Sequence, residues 1–405
     1  MRRQHTMTGA AAGTSAGASA GTWWATEAAH RIAADALAAA EAAADAAGCL
    51  VRPISALPEL EATCRLFHGI WQPGAENGLA TTELLRAMDK AGSYVAAAFD
   101  REAATGARGG GGALAGQAAL VGEGALAGEG VLAEGGARGA GGARGTGGAL
   151  ADGSGELVGA CIGFFGPPPD GSLHSHIAGV SARMRGRSVG FALKTHQRAW
   201  ALERGATQVS WTFDPLVRRN AYFNIGKLAA RPAQYLPNFY GRMDDGINGA
   251  DDTDRLLVEW PLAAPEVAAA CHGRPRPADA TGERARGTAI ALGTTPGGRP
   301  HAHPVTGSGS RCLVAVPDDI EQLRRTDPPS AADWRAAVRE TLGGLLADGW
   351  QVAGFDRAGW YLLARPSVTV AAPAAPAVAA APAADPLSQP TTAPHNPVDT
   401  DEERP

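Results

Sequence analysis

HSHIAGVSARMRGRSVGFALK, His174 to Lys194, is the stretch on which the fold of this chain turns. An apolar, extended run ends at Val180, and a short basic turn follows from Arg183 to Arg187. From about Ser188 an amphipathic helix carries Val189, Leu193, His196 and Trp200 along one face at spacings of three and four. A strand feeding a glycine-containing turn at a helix N-terminus makes an anion site. The first helical amides lack intrahelical partners, and the helix dipole is positive there. Arg185 and Arg187 add fixed charge suited to phosphate oxygens. Neither GxxxxGK(S/T) nor GxGxxG stands at this junction, so the two best-known phosphate loops are absent.

Working outward, Gln208 to Phe213 (QVSWTF) is β-branched and aromatic, and Asp214-Pro215 stops it as a strand. A second helical segment, Arg219 to Leu228 (RNAYFNIGKL), follows. Upstream, Cys49 to Ile54 reads as a short first strand. Ala56 to Trp71 and Thr82 to Ala91 read as helices, and Tyr94 to Phe99 and Glu156 to Phe165 as strands. Downstream, Gln234–Leu236 with Asn238–Tyr240 and then Leu256–Trp260 read as two antiparallel strands joined by an acidic loop.

Two of these segments carry a family resemblance. Arg185-Gly186-Arg187-Ser188-Val189-Gly190 resembles (Q/R)xxGx(G/A), the pyrophosphate-binding signature of the GNAT acetyltransferases. Arg185 matches its first position and Gly190 its last, while Ser188 replaces the middle glycine and offers a capping hydroxyl instead. The Asn220 segment resembles the helix N-A-x-x-x-Y-x-K-L-G that follows the fifth strand in that superfamily. Asn220, Ala221, Lys227 and Leu228 are in register. Ile225 stands where many members have the tyrosine that protonates the leaving thiolate, and Ala229 stands where they have glycine. The wording HSHIAGV, GFALK, WTFDPL, RRNAYFN and NFYG also resembles a poorly characterised actinobacterial branch of predicted GNAT proteins. The likeness runs from Val51 to Leu262 with one interruption.

The resemblance implies an α/β (α+β) fold with a mixed, mostly antiparallel central sheet flanked by helices. A parallel, splayed strand pair, here His174–Val180 and Gln208–Phe213, would lie at the CoA site. It implies an acyl-CoA-dependent N-acyltransferase moving acetyl from acetyl-CoA to an unidentified primary amine. The alternative is a weak or inactive GNAT-like CoA-binding sensor or protein-interaction module. Residues implied to hold acetyl-CoA are Gly179, Val180, Arg185, Gly186, Arg187, Ser188, Val189, Gly190 and Asn220.

Catalytic candidates are Tyr222, His176 and Asp214. Tyr222 precedes Ile225 by three residues, so on an α-helix the two side chains are offset by only about 60°. His174 and His176 are two apart on one strand face. Either can relay a proton near neutrality, or both are strand residues satisfied by neighbours. Asp214 either orients an amine or simply ends the strand. His196, on the apolar helix face, reads as a packed histidine.

The 405-residue chain has a net charge of −5 and a pI near 6.1, which gives no basic footprint for nucleic acid. Its five cysteines are scattered, with no CxxC, so neither a zinc site nor a disulfide framework is expected. The acidic loop does not meet the ligand spacing of a calcium-binding EF-hand, so no metal is expected. The uncharged run Thr8 to Ala25 has only Trp23 and Trp24 as large apolar groups, unlike a secretory core. The run Pro366 to Ala384 is broken by prolines. The expectation is a cytoplasmic monomer or dimer that meets acetyl-CoA and an amine-bearing acceptor, with no membrane partner.

By composition, residues 1–48 form a disordered and Ala-rich extension whose helical part has a weak alanine face. Residues 49–262 form the acyltransferase domain, with a flexible Gly/Ala-rich insertion at 106–155. Residues 263–311 are a linker, 312–365 a small α/β segment docking on the main domain, and 366–405 a disordered Ala/Pro-rich acidic tail.

Overall fold

The computed structural model describes residues 26–71, 79–101, 155–166, 171–241, 251–305 and 309–366. The expectations for residues 1–25, most of the Gly/Ala-rich insertion, the tail and part of the acidic loop lie outside these residues.

The chain runs α1 (Glu27–Ala46), β1 (Cys49–Pro53), α2 (Leu57–Trp71), α3 (Thr82–Lys90), β2 (Tyr94–Asp100), β3 (Glu156–Phe165) and β4 (Ser172–Val180). Next come α4 (Val189–Glu203), β5 (Gln208–Phe213) and α5 (Arg218–Ala221), which continues as a π-turn over Tyr222–Lys227. Then β6 (Arg231–Leu236), β7 (Arg255–Pro261), α6 (Pro265–Cys271), α7 (Ala280–Ala285), β8 (Ala289–Thr294) and β9 (Pro300–Ala302) follow. The remainder is β10 (Arg311–Ala315), α8 (Ile320–Thr326), α9 (Pro328–Val338), which continues through a π-turn (Arg339–Gly343) into α10 (Gly344–Ala347), then β11 (Gln351–Asp356) and β12 (Trp360–Ala364).

A seven-stranded sheet has the order β1-β2-β3-β4-β5-β7-β6, and every neighbouring pair is antiparallel except β4–β5. This is the mixed, mostly antiparallel sheet that the resemblance implies. The helix α4 crosses over between the two parallel strands. It packs on one face of β3 and β4, and α2 packs on the other. Because β2 and most of β3 are covered on both faces, they read as nearly continuous apolar runs rather than alternating ones.

Three expectations are corrected. The alanine-rich helix is firmly packed: α1 lies against α4 and buries Ala36, Ala39, Ala40 and Ala43. Alanine offers little area, yet its small side chain lets two helix axes approach closely and costs no rotamer entropy. Residues 263–311 are not simply a linker, since they supply α6, α7, β8 and β9. Pro265 sits at a helix start and glycines sit in turns, so residues that suggest a linker punctuate short elements here. Finally, Asn238–Tyr240 is a turn and not a strand. Asp254 accepts a bond from the Asn238 amide at 2.9 Å, and Asn238 has φ 41°.

The second sheet has the order β11-β12-β10-β8-β9 and contains one parallel pair, β8–β10. It is tied to the first near the end of β5. The Tyr361 hydroxyl donates to the Pro215 carbonyl at 2.8 Å, and Arg218 and Arg219 pair with Asp318 and Glu321 at 2.6 Å each.

Candidate functional site

The strands β4 and β5 pair only at Ser172–Gln208, Leu173–Val209 and His174–Ser210. Beyond these residues β4 runs on to Val180, bonded to β3, while β5 is bonded to β7. A gap therefore opens between the parallel strands from Ser175 to Val180, about 20 Å long at the usual rise per residue. In β4 the register with β3 shifts at His176, since Ile162 faces Ile177 and Gly163 faces Ser175. This bulge re-aims the strand. It leaves His174 and His176 on one side, both against the half-exposed Phe164 ring at 5.2 and 5.9 Å between centroids. Gly179 lies at the open end. A Cβ there would stand 2.7 Å from Ile70 and 2.9 Å from Trp71, so its missing side chain serves the close approach of α2.

The open end leads into the basic turn, where Val180 is followed by Ser181, whose amide is bonded to the Val158 carbonyl at 2.8 Å. Residues Ala182–Met184 form a 3-10 turn, and Gly186 takes φ 78°. Ser188 takes φ 58° and makes no side-chain cap on α4. Position 188 is therefore left-handed, a conformation in which glycine is at ease and serine is strained. The three arginines differ. Arg183 is neutralised by Asp100 and Glu156 at 3.5 and 3.0 Å. Arg187 lies over Gly48, where a Cβ would meet its guanidinium at 2.8 Å, and touches the Met184 sulfur. Arg185 is exposed and has no ion pair or side-chain hydrogen bond among the described residues. The α4 N-terminus, with Val189 and Gly190 in its first turn, points its unpaired amides into the same corner.

At the closed end of the gap, the His174 Nδ1 is 3.3 Å from the Ser210 hydroxyl. Burial, helped by His176 and Lys194, pushes His174 down to about 4. Burial likewise lowers His176 below the usual histidine value. Both rings are therefore neutral at pH 7 and able to accept a proton. His196 is packed, as its helical position suggests: its Nδ1 is 2.9 Å from the Tyr94 hydroxyl.

Asp214 was a catalytic candidate, and the structure gives it other work. Its oxygens accept from Arg335 at 2.8 Å twice, from Arg324 at 2.6 Å and from the Leu216 amide at 2.9 Å. Burial alone would raise its pKa, but Arg335 and Arg324 hold it well below the usual carboxylate range. With its lone pairs so used, Asp214 is a strut between the two sheets. A cavity of about 580 Å³ opens beside this cluster, lined by Asp251, Arg324, Arg335 and Arg339 among others, and it shares no lining residue with the gap.

Tyr222 is also displaced from its expected role. It opens the π-turn, in which the Leu228 amide bonds back to Phe223, five residues earlier. A π-turn advances less per residue than an α-turn, so the offset from Ile225 exceeds the expected 60° or so. The ring lies against Gly226 and under Arg357 of the β11–β12 turn, on the side of the second sheet. Ile225 and Asn220 are buried.

Sequence reasoning gave no role to Lys194 and Gln197, both buried on the inner face of α4. Lys194 Nζ donates to the Ser175 hydroxyl at 2.8 Å and to Gln197 Oε1 at 3.1 Å, and stands 3.8 Å from the Trp211 ring centroid. The local signal was a lysine and a glutamine three apart, about one helical turn, near the start of α4. Among the described residues there is no cluster of three or more metal-ligating side chains, and no helix is long and apolar enough to cross a membrane.

No family model matches this chain, and no curated protein matches it. Among solved structures, a ribosomal-protein-S5-alanine acetyltransferase from Vibrio fischeri is similar at 10% identity. It covers 52% of this chain and 92% of its own, with a TM-score of 0.33. RimJ of Mycobacterium smegmatis, in complex with CoA-disulfide, is similar at 15% identity over 56% of this chain and 91% of its own, with a TM-score of 0.34. YncA of Salmonella typhimurium, a putative acetyltransferase with acetyl-CoA, is similar at 11% identity over 54% and 98%, with a TM-score of 0.32.

Proposed function

We propose that this chain is an acyl-CoA-dependent N-acyltransferase of the GNAT type, acting on a primary amine. One observation carries the reading: a parallel strand pair that stops after three residues and opens toward a basic turn and a helix N-terminus. The turn suits a diphosphate, through Arg185 and the amides of Gly186, Val189 and Gly190. The gap suits an extended pantetheine arm and presents to it the backbone groups of β4 that face away from β3, including those of Val180.

In this reading a neutral amine attacks the thioester carbonyl carbon and the carbon–sulfur bond breaks. The amine proton passes to His176, and the departing thiolate takes a proton in return. His176 is the base because burial keeps it neutral at the bulge, within the gap. Proximity does most of the rest, since a thioester is already activated. His174, bonded to Ser210, positions the bulge. Asn220, buried at the start of the helix after β5, supports the cofactor side.

Calorimetric titration with acetyl-CoA tests this reading, with Arg185→Glu and Gly190→Asp as controls. Binding by the wild type that weakens about tenfold or more in either variant supports it. No heat with the wild type up to millimolar acetyl-CoA, unsubstituted CoA or other acyl-CoA overturns it.

A second reading, a CoA-binding module without turnover, is favoured by the buried Ile225 and by Tyr222 lying against the second sheet. Binding with no thiol release over a broad amine panel would select it. Steady release with any amine would exclude it.

A further inference from the structure

The closed end of the gap holds a cation that lacks a counter-charge. Lys194 bonds Ser175 of β4 and stands over Trp211 of β5, so its ammonium bridges the two strands one residue beyond their last pair, His174 and Ser210. Among the described residues no carboxylate lies within ion-pair reach of it. Cys161, its electrostatic neighbour, is kept a neutral thiol by burial. Beside it the Gln197 side chain is fully buried. Its Oε1 accepts from Lys194, which fixes the amide orientation and leaves Nε2 as a donor with no partner among the described residues. A buried donor without an acceptor is costly, and a buried ammonium without an anion more so. Gly163 lets β4 and the Gln197 amide approach closely here, since a Cβ would stand 2.7 Å from the His174 carbonyl and 3.3 Å from Gln197 Nε2.

Two donors, one of them cationic, thus converge where an acyl chain threaded from the basic turn would end. The geometry points to an acyl group with a terminal carboxylate: the co-substrate is the CoA thioester of a short dicarboxylic acid rather than acetyl-CoA. This rests on the acyltransferase reading and refines it. The distal carboxylate takes one hydrogen bond from Lys194 and one from Gln197, and brings the missing negative charge. The group transfer is unchanged: the amine nitrogen bonds the thioester carbonyl carbon, the carbon–sulfur bond breaks, and the free carboxylate stays on the product.

The test is calorimetric titration of the full chain with unsubstituted CoA and with acyl-CoA pairs matched in length. Succinyl-CoA is set against butyryl-CoA, and malonyl-CoA against propionyl-CoA. In at least one pair the carboxylated member should bind about 10–100-fold more tightly, the scale of hydrogen bonds to a charged group. Lys194→Met should erase that preference, and Gln197→Met should reduce it. Equal or weaker binding of both carboxylated members by the wild type overturns the inference, even where the variants fail to fold. If CoA itself binds and acetyl-CoA is preferred, only the dicarboxylate assignment falls. If no CoA species binds, the acyltransferase reading falls with it.

Discussion

Lys194 and Arg335 are buried to nearly the same extent, at 5% and 3% exposure, yet they are partnered in opposite ways. Arg335 lies between the sheets and is bonded to two carboxylates, Asp214 and Asp251. Lys194 lies at the closed end of the strand gap, with a hydroxyl, an amide oxygen and an indole face. The first arrangement is self-sufficient, with charge and hydrogen bonds closed within the chain. The second is incomplete. Burial pushes Lys194 down to about 8, whereas burial and the opposing pull of Asp214 leave Arg335 more firmly charged than usual. A chain that compensates one buried cation so thoroughly and leaves another without an anion has assigned them different work.

The largest effect expected from breaking this contrast lies on the paired side. Asp214→Ala strands Arg335 and Arg324, and should cost about 3–5 kcal/mol in urea unfolding. A loss below about 1 kcal/mol would mean that the strut is not closed as described. Next is the proton acceptor in the gap. His176→Gln should lower turnover about 10²-fold or more while leaving acetyl-CoA affinity nearly unchanged. Tyr222→Phe should leave turnover at the wild-type level, and a comparable loss there would exchange the two assignments. Because burial lowers His176, the acid limb of kcat/KM should fall below the ordinary histidine range near 6.5.

On the unpaired side the sign reverses. Lys194→Met removes an uncompensated charge and keeps the volume, so it should raise stability by about 1–3 kcal/mol in the same unfolding assay. Destabilisation would show that the hydroxyl, amide and ring already compensate the ammonium fully.

The neutral histidines give an intermediate case. His174 and His196 are each pushed down to about 4 by burial, so between pH 6.5 and 4 the unfolded chain binds protons that the folded chain refuses. Stability should be fully present above pH 6.5 and fall as pH drops toward 4, with a slope of at most about 1.4 kcal/mol per pH unit per histidine. His196→Gln should remove one histidine's share of that slope. The smallest effect concerns the left-handed Ser188: replacement by Gly should add about 1 kcal/mol, read as a rise in thermal midpoint.

Legibility in the sequence follows the range of the interactions. The strand, turn and helix from His174 to Lys194 were readable because periodicity, charge and glycine act over a few residues. The same holds for the edges of β2, β3 and β5. The role of Asp214 was hidden because Arg324 and Arg335 lie 110 and 121 residues further on. Asp214 is an ordinary acid before a proline, and Arg324 and Arg335 are ordinary helical arginines, until the second sheet docks. Lys194 was hidden for a related reason: besides Gln197 on its own helix, its neighbours come from two strands, and nothing local marks it as lacking an anion. The π-turn at Tyr222 changes hydrogen-bond register without changing residue types, so helical spacing put the phenol in the wrong place. The short elements between 263 and 311 were mistaken for a linker because proline and glycine mark their boundaries as readily as they mark unstructured chain.

The tie between Asp214 and Arg335 also orders events during synthesis. At 5–20 residues per second, roughly 6–24 s separate the emergence of Asp214 from that of its partner 121 residues later. Tyr361, which closes onto Pro215, follows later still, 146 residues behind it. Over that interval the nascent chain already contains β4, α4 and β5, with Asp214 still hydrated at the end of β5. The seven-stranded sheet can assemble on the ribosome, but the lip of its gap is locked only when the last hairpin has left the exit tunnel.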